Sequence, residues 1–197
     1  ASTEENLRRA PNDPDRIFDH AQSVFYLGAL ASARGDTAAM EAGNLEYFRL
    51  AERLVATAPD DQRSQLELAF AHSNLGATKF ERRLYAEAIP DFEKSVELRR
   101  ALVEKHPQDN KLAKAYAYAL SWLGYAELWT GQNARAVEIY SRQLGVYERL
   151  LADGDDYEIF DAQISAQRRL STALLNLGRV ADARSVISFS LSSILSG

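Results

Sequence analysis

The stretch ATAPDDQR, residues 56–63, decides the fold, because the chain says nearly the same thing three times. EKHPQDNK stands at 104–111 and RRAPNDPD at 8–15, so that Pro11, Pro59 and Pro107 lie 48 residues apart. A second, unrelated marker keeps the same step: YLGAL around Gly28, NLGAT around Gly76 and WLGYA around Gly124. Two markers sharing one long period define an array of repeats. Between Pro59 and Pro107, Leu66, Ala69, Phe70, Leu75, Ala77 and Phe80 recur at helical spacing up to a break near Arg83. Ala86, Ile89, Phe92, Val96, Leu98, Leu102 and Val103 then form a second amphipathic stripe that ends before Pro107. Proline cannot continue a helix, and PDDQ and PQDN supply turn and N-cap residues for the next one. Each unit therefore reads as a hairpin of two helices, each about 20 residues and roughly 30 Å long.

The same scheme extends in both directions. Downstream, Leu112–Trp129 and Ala134–Leu151 flank a break at Gly131, and Tyr157–Asn176 is followed by a break at Gly178 and a helix from Val180 onward. Upstream, Asp15–Arg34 leads to a break at Gly35 and a second helix that runs to Ala58, with EAGN as its least regular part. Residues 1–12 read as the remnant of a preceding helix, since Leu7 stands 48 before Val55. The expectation is one all-α domain over 1–197, a solenoid of about four antiparallel hairpins with units at about 13–58, 59–106, 107–154 and 155–197.

Composition agrees and narrows the function. The 197 residues carry a formal charge of −5, with no basic stripe, which argues against nucleic acid and anionic membrane as partners. No cysteine is present, which removes disulfide and thiol chemistry and fits a reducing compartment. Nothing approaches the roughly 20 apolar residues that span a bilayer.

The repeated unit resembles the tetratricopeptide repeat, whose pattern places L-G in the first helix and A-x3-F in the second, closed by Pro. Here L-G appears as Leu27-Gly28, Leu75-Gly76 and Leu123-Gly124; the second half appears as Ala88-x3-Phe92, Ala136-x3-Tyr140 and Ala183-x3-Ile187. The family's leading aromatic is replaced by Val24, His72 and Leu120. The period exceeds the family's roughly 34 residues by about seven in each helix, almost two turns, which lengthens a helix without turning its apolar face off the core. The resemblance implies a right-handed superhelix in which Gly28, Gly76, Gly124, Ala88 and Ala136 admit close helix contact. It implies that Leu27, Leu75, Leu123, Phe92 and Tyr140 fill the remaining volume. It also implies a cytoplasmic protein of bacterial type, since long repeats of this kind are attached to bacterial signalling and regulatory proteins.

Catalytic signatures are missing. His20, His72 and His106 stand alone in their repeats, and no zinc-ligand spacing, G-x-S-x-G or phosphate loop occurs. His72 reads as a packed neutral imidazole, and DGDDYE (Asp153, Asp155, Asp156, Glu158) as a solvated turn rather than a calcium loop. Neither a metal, a cofactor nor an enzymatic activity is expected. Stacked hairpins instead make a concave surface lined by their first helices. The family's groove positions fall on Gln22, Phe25, Tyr26 and Ala29; on Phe70, Ser73, Asn74 and Ala77; on Tyr118, Ser121, Trp122 and Tyr125; and on Ser165, Arg168, Arg169 and Thr172. Phe25 and Ala29 stand where the family's carboxylate clamp needs Lys and Asn, and Asn74 alone matches it. The resemblance thus implies a non-enzymatic scaffold that binds a protein segment through Phe25, Tyr26, Phe70, Asn74, Tyr118, Trp122, Tyr125, Arg168 and Arg169. The rival expectation is a regulatory or oligomerisation module of a larger signalling or transcription-regulating protein. Ser185–Gly197 has no charged residue, and Ile187, Leu191, Ile194 and Leu195 fall on one helical stripe widened by Val186 and Phe189. That stripe is expected to be covered, by a following repeat or by a second copy of the chain.

Overall fold

Four aspartates open the first helix of every hairpin. A computed structural model describes residues 2–152, 154 and 156–186. Asp13, Asp61, Asp109 and Asp156 accept hydrogen bonds from backbone amides of the first helical turn, satisfying donors that a helix start leaves open. The helices that follow are α1 (Thr3–Arg9), α2 (Pro14–Ala33), α3 (Thr37–Thr57), α4 (Gln62–Glu81), α5 (Tyr85–Lys105), α6 (Asn110–Trp129), α7 (Asn133–Ala152) and α8 (Tyr157–Asn176). Residues 180–186 begin a further helix. No strand occurs among the described residues.

Inside each hairpin the chain reverses through one left-handed residue. Gly35, Gly131 and Gly178 take φ of 74, 76 and 74°, and the matching position in the second hairpin is Arg83 at φ 63°. Consecutive helices pack on one another from α1 to α8, which makes an all-α solenoid of antiparallel hairpins. The backbones of first helices also come close across hairpins, α4 to α6 and α6 to α8, whereas those of α3, α5 and α7 stay apart, α5 and α7 meeting through side chains such as the Arg135–Glu93 ion pair at 2.5 Å. A row closed on one side and splayed on the other curves toward the closed side. The first helices therefore line the inner face.

The glycines show how the hairpins close. A Cβ on Gly76 would lie 2.6 Å from the Phe92 ring and one on Gly124 would lie 2.8 Å from Tyr140, so the buried aromatic of the second helix presses on the bare backbone of the first. The first hairpin closes differently: Asn44 occupies the aromatic's register, and Gly28 meets Gly43 instead, a Gly43 Cβ falling 3.1 Å from Gly28 Cα. The irregular EAGN stretch is thus the place where α2 and α3 come closest.

Two expectations need correction. Leu123 is buried at 5% exposure against Phe92 and Val96 of α5, but its counterpart Leu27 is 69% exposed and fills no core. Leu7 of α1 packs with Ile17 and Ala21, near the start of α2. His72, expected as a packed neutral imidazole, packs edge-on against Phe48 at 5.0 Å but also has an acidic partner, its Nδ1 lying 3.2 Å from Asp91 Oδ1. Lys79 Nζ binds the other oxygen of Asp91 at 2.5 Å. Burial pushes the Asp91 carboxyl up, but His72 and Lys79 outweigh it and hold it below the ordinary range. Of the uncharged segment Ser185–Gly197, only Ser185 and Val186 are described; Ile187, Phe189, Leu191, Ile194 and Leu195 lie outside the described residues, as do Asp153 and Asp155.

Candidate functional site

Three cavities open along the inner face. Two lie between α2 and α4, whose backbones do not approach as closely as those of α4 and α6. One of these, about 190 Å³, is lined by Gln22, Phe25, Tyr47, Glu67, Phe70 and Asn74. Glu67 sits in its wall at 8% exposure; Tyr47 Oη donates to Glu67 Oε2 at 2.5 Å and Gln22 Nε2 donates to the same oxygen at 2.8 Å. Burial pushes the Glu67 carboxyl up, and those two bonds together with the charge of Arg63 only partly offset it. Burial and the neighbouring Glu67 likewise push the Tyr47 phenol up.

The second cavity, about 160 Å³, runs past Gly28, Met40, Asn44, Asn74 and Thr78. It exists because Asn44 stands where Phe92 and Tyr140 fill the later hairpins. The amide is smaller than a ring and is turned toward α4, donating from Nδ2 to Thr78 Oγ1 at 2.9 Å.

The third cavity, about 190 Å³, is bounded by Tyr118, Ser121, Trp122 and Tyr125 of α6 and by Arg169 of α8. Arg169 Nη1 donates to Ser121 Oγ at 2.7 Å and the guanidinium lies 4.9 Å from the Tyr125 ring centroid. No carboxylate pairs with it among the described residues. Trp122 stacks on the buried Phe92 at 5.7 Å and 19°, and Tyr118 stands edge-on to Trp122 with 53% of its surface exposed. The aromatic row continues as Phe80 on Tyr125, Tyr85 on Phe80, and Trp129 on Tyr85, with Trp129 54% exposed.

Between these cavities Phe70, at 36% exposure, covers the guanidinium of Arg99, 4.5 Å from its ring centroid. Arg99 is fully buried with no carboxylate partner among the described residues; its Nη1 donates to the Ala69 carbonyl, to Ser73 Oγ and to Ser95 Oγ, while Nε and Nη2 have no hydrogen-bond partner among them. Burial pulls its pKa down to about 10.

Of the residues expected from sequence, Phe25, Phe70 and Asn74 meet at the α2–α4 cavities, and Tyr118, Trp122, Tyr125 and Arg169 meet at the α6–α8 cavity. Trp122 is as much core as surface, being packed against the cluster of Phe92, Leu120 and Leu123. Tyr26 is 64% exposed, edge-on to Phe25 at 5.6 Å, and Arg168 is exposed; neither lines any of these three cavities. Sequence reading missed Tyr47, Glu67, Arg99, Phe80, Tyr85 and Trp129. Arg99 left a signal, since it occupies the apolar stripe of α5 between Val96 and Val103. Glu67, three residues before Phe70 on the same helical face, left a weaker one.

No group of three metal-ligating side chains occurs among the described residues, and no described helix is long and apolar enough to cross a membrane. No protein-family model matches the chain, and comparison with curated proteins gives no match. Among solved structures, the crystal structure of BtubC (BKLC) from P. vanneervenii is similar at 18% identity and a TM-score of 0.48, covering 100% of this chain and 89% of that one. MamA 41-end from Desulfovibrio magneticus RS-1 is similar at 17% identity and a TM-score of 0.32, covering 89% of this chain and 96% of that one. The fold defined by this chain's own helices is a helical-repeat array with an aromatic-lined inner face.

Proposed function

We propose that the chain is a long-helix relative of the tetratricopeptide arrays and a non-catalytic scaffold whose inner face binds a protein segment. The in-phase contacts of Gly76 with Phe92 and Gly124 with Tyr140 support the family reading, because they give the L-G and A-x3-F positions one shared packing role. The observation that carries the binding reading is the α6–α8 cavity. Its Tyr118 is more than half exposed on a Trp122 fixed by Phe92, and its Arg169 has no carboxylate partner among the described residues. Rigid aromatics bury large area at little cost in rotamer entropy, and Tyr, Trp and Arg are the residues on which interfaces concentrate their energy. The cysteine-free sequence suits work in a reducing compartment, and we infer a cytoplasmic setting from it.

Peptides selected on the full chain from a random display library test this reading. Tyr118→Ala and Tyr125→Ala are expected to weaken the selected peptides by more than about 1 kcal/mol each while helical circular dichroism stays unchanged. Trp122→Ala is a poor probe, since it also strips packing from Phe92. Selected peptides that bind both variants as tightly as the parent chain would place recognition elsewhere.

A further inference from the structure

We propose that the cavity bounded by Phe25, Tyr47, Phe70 and Glu67 is a pocket for a lysine side chain of the bound segment; the proposal rests on the inner-face reading above and specifies its chemistry. Four observations carry it. Glu67 is buried at 8% exposure and has no Lys, Arg or His within ion-pair distance among the described residues. Arg63, whose charge reaches Glu67, is itself engaged by Asp15 at 2.6 Å and by Asp61 at 3.8 Å. Both donors that reach the carboxylate, Tyr47 Oη and Gln22 Nε2, are neutral and converge on Oε2, so that Oε1 accepts no hydrogen bond among the described residues. Three aromatic rings wall the space beside it, and Asn74 adds a side-chain amide with no side-chain partner of its own.

That combination selects a cation and then a kind of cation. A buried carboxylate without a direct ion pair is costly, and an incoming cation removes part of that cost. Aromatic faces carry negative quadrupole charge and attract an ammonium placed over them. A guanidinium is recognised best through two parallel bonds to both carboxylate oxygens, and here one oxygen is already occupied twice. A primary ammonium is a point charge that needs only the open Oε1, with the Asn74 carbonyl as a second acceptor, while its methylene stem lies along Phe25 and Phe70. Tyr47 and Gln22 then act as positioning residues that hold the carboxylate against the wall.

Nα-acetyl-lysine methylamide, titrated into the full chain at millimolar concentration and followed by nuclear magnetic resonance, tests the pocket directly. Saturable shifts of the Gln22 and Asn74 side-chain amides are expected. Nε-acetylation of the probe, which keeps the stem and removes the charge, is expected to weaken them at least about tenfold, as is Glu67→Gln. Equal shifts from the neutral probe, or no saturable shift from the charged one, overturn the proposal, and the neutral-probe comparison holds even should Glu67→Gln fold poorly. The library-selected peptides separate this failure from that of the wider reading. Peptides that lose affinity with Tyr118→Ala but lack an enriched lysine and ignore Glu67→Gln leave the inner face intact and remove the lysine pocket. Peptides that ignore both substitutions remove both readings.

Discussion

Gly76 and Gly28 stand 48 residues apart in the same register, yet replacing each by alanine should change stability in opposite directions. An alanine in a helix interior is favoured over glycine by about 1 kcal/mol, because glycine loses more backbone freedom on folding. At Gly28 a new Cβ meets Gly43 Cα at 3.7 Å and Asn44 Oδ1 at 3.8 Å, which is ordinary contact, so the gain survives. At Gly145 nothing lies within 4 Å, and the gain is complete. At Gly76 the new Cβ would lie 2.6 Å from Phe92 Cε1 and 2.7 Å from Cδ1, so the ring must retreat by about 1 Å to reach ordinary contact. Phe92 has nowhere to go: it is 1% exposed and stacked on Trp122. Overpacking of this kind costs about 1–3 kcal/mol, which cancels the propensity gain and leaves about 1 kcal/mol of net destabilisation.

The expected ranking in thermal or urea unfolding is therefore Gly145→Ala and Gly28→Ala above the parent chain and Gly76→Ala below it. The extremes should be separated by about 2 kcal/mol, or about 4–8 °C for a chain of this length. Gly76→Ala should also alter the near-ultraviolet circular dichroism of Trp122, through Phe92. Combining Gly76→Ala with Phe92→Leu should recover part of the loss, a non-additivity that only contact between the two positions explains. A Gly76→Ala chain as stable as Gly145→Ala would refute the account of hairpin closure.

Further outcomes follow from single residues. Arg83→Gly should stabilise the chain by about 0.5–1 kcal/mol in urea unfolding, because Arg83 takes a left-handed φ of 63° at a turn where Gly35, Gly131 and Gly178 sit without a Cβ. Asp91 and Glu127 should give pH dependences of opposite sign. Asp91 is held below its ordinary range by His72 and Lys79, so its stabilisation is full above that range and disappears as pH falls through its lowered value; Asp91→Asn should match the parent chain only in acid. Glu127 is 1% exposed, neither of its oxygens is hydrogen-bonded, and burial pushes it up despite Arg135 at 3.2 Å. Its penalty is absent below the ordinary carboxylate range and grows as pH rises to its raised value, so Glu127→Leu, which copies Leu174 of the next hairpin, should gain stability over the parent chain as pH rises.

The period of 48 carried most of the fold, because proline, the Asp caps and the left-handed turn residues act locally and leave local marks. Gly76 and Gly124 were legible for the same reason, each lying at a fixed offset from a buried aromatic. Leu27 was not. A helical stripe states which face is apolar without stating whether a neighbour covers it. The α2–α4 cavities were hidden for a related reason: a cavity is a property of two helices and the gap between them, and Asn44 looks unremarkable until the ring missing at its position is noticed. Glu67 and Arg99 were the informative misses. Each is a charge on an apolar stripe, and buried charges require partners that periodicity does not reveal.

Where the hairpins agree they hold the array, and where they disagree they shape its inner face. The register of Glu67 carries the exposed Asp19 in the first hairpin and Ala115 in the third, so the buried carboxylate occurs once. The register of Trp122 carries Tyr26, Asn74 and, allowing for the one-residue shorter spacing before α8, Arg169. A groove of identical units would accept a bound segment equally well one repeat to either side. This groove has a carboxylate and open apolar cavities between α2 and α4, an aromatic platform on α6, and a cation contributed by α8. If the inner face binds as proposed, a segment with a basic residue at one end, an apolar centre and an acidic residue at the other is expected to fit in one register and one direction. Sliding it by a repeat, or reversing it, sets like charges together and leaves a buried charge unmatched. Exchanging the charges, with Glu67→Lys and Arg169→Glu in one chain, should therefore abolish binding of peptides selected on the parent while admitting their charge-swapped counterparts. Retained affinity for the original peptides would mean that the aromatics alone set recognition and that the polarity of the groove has no role in it.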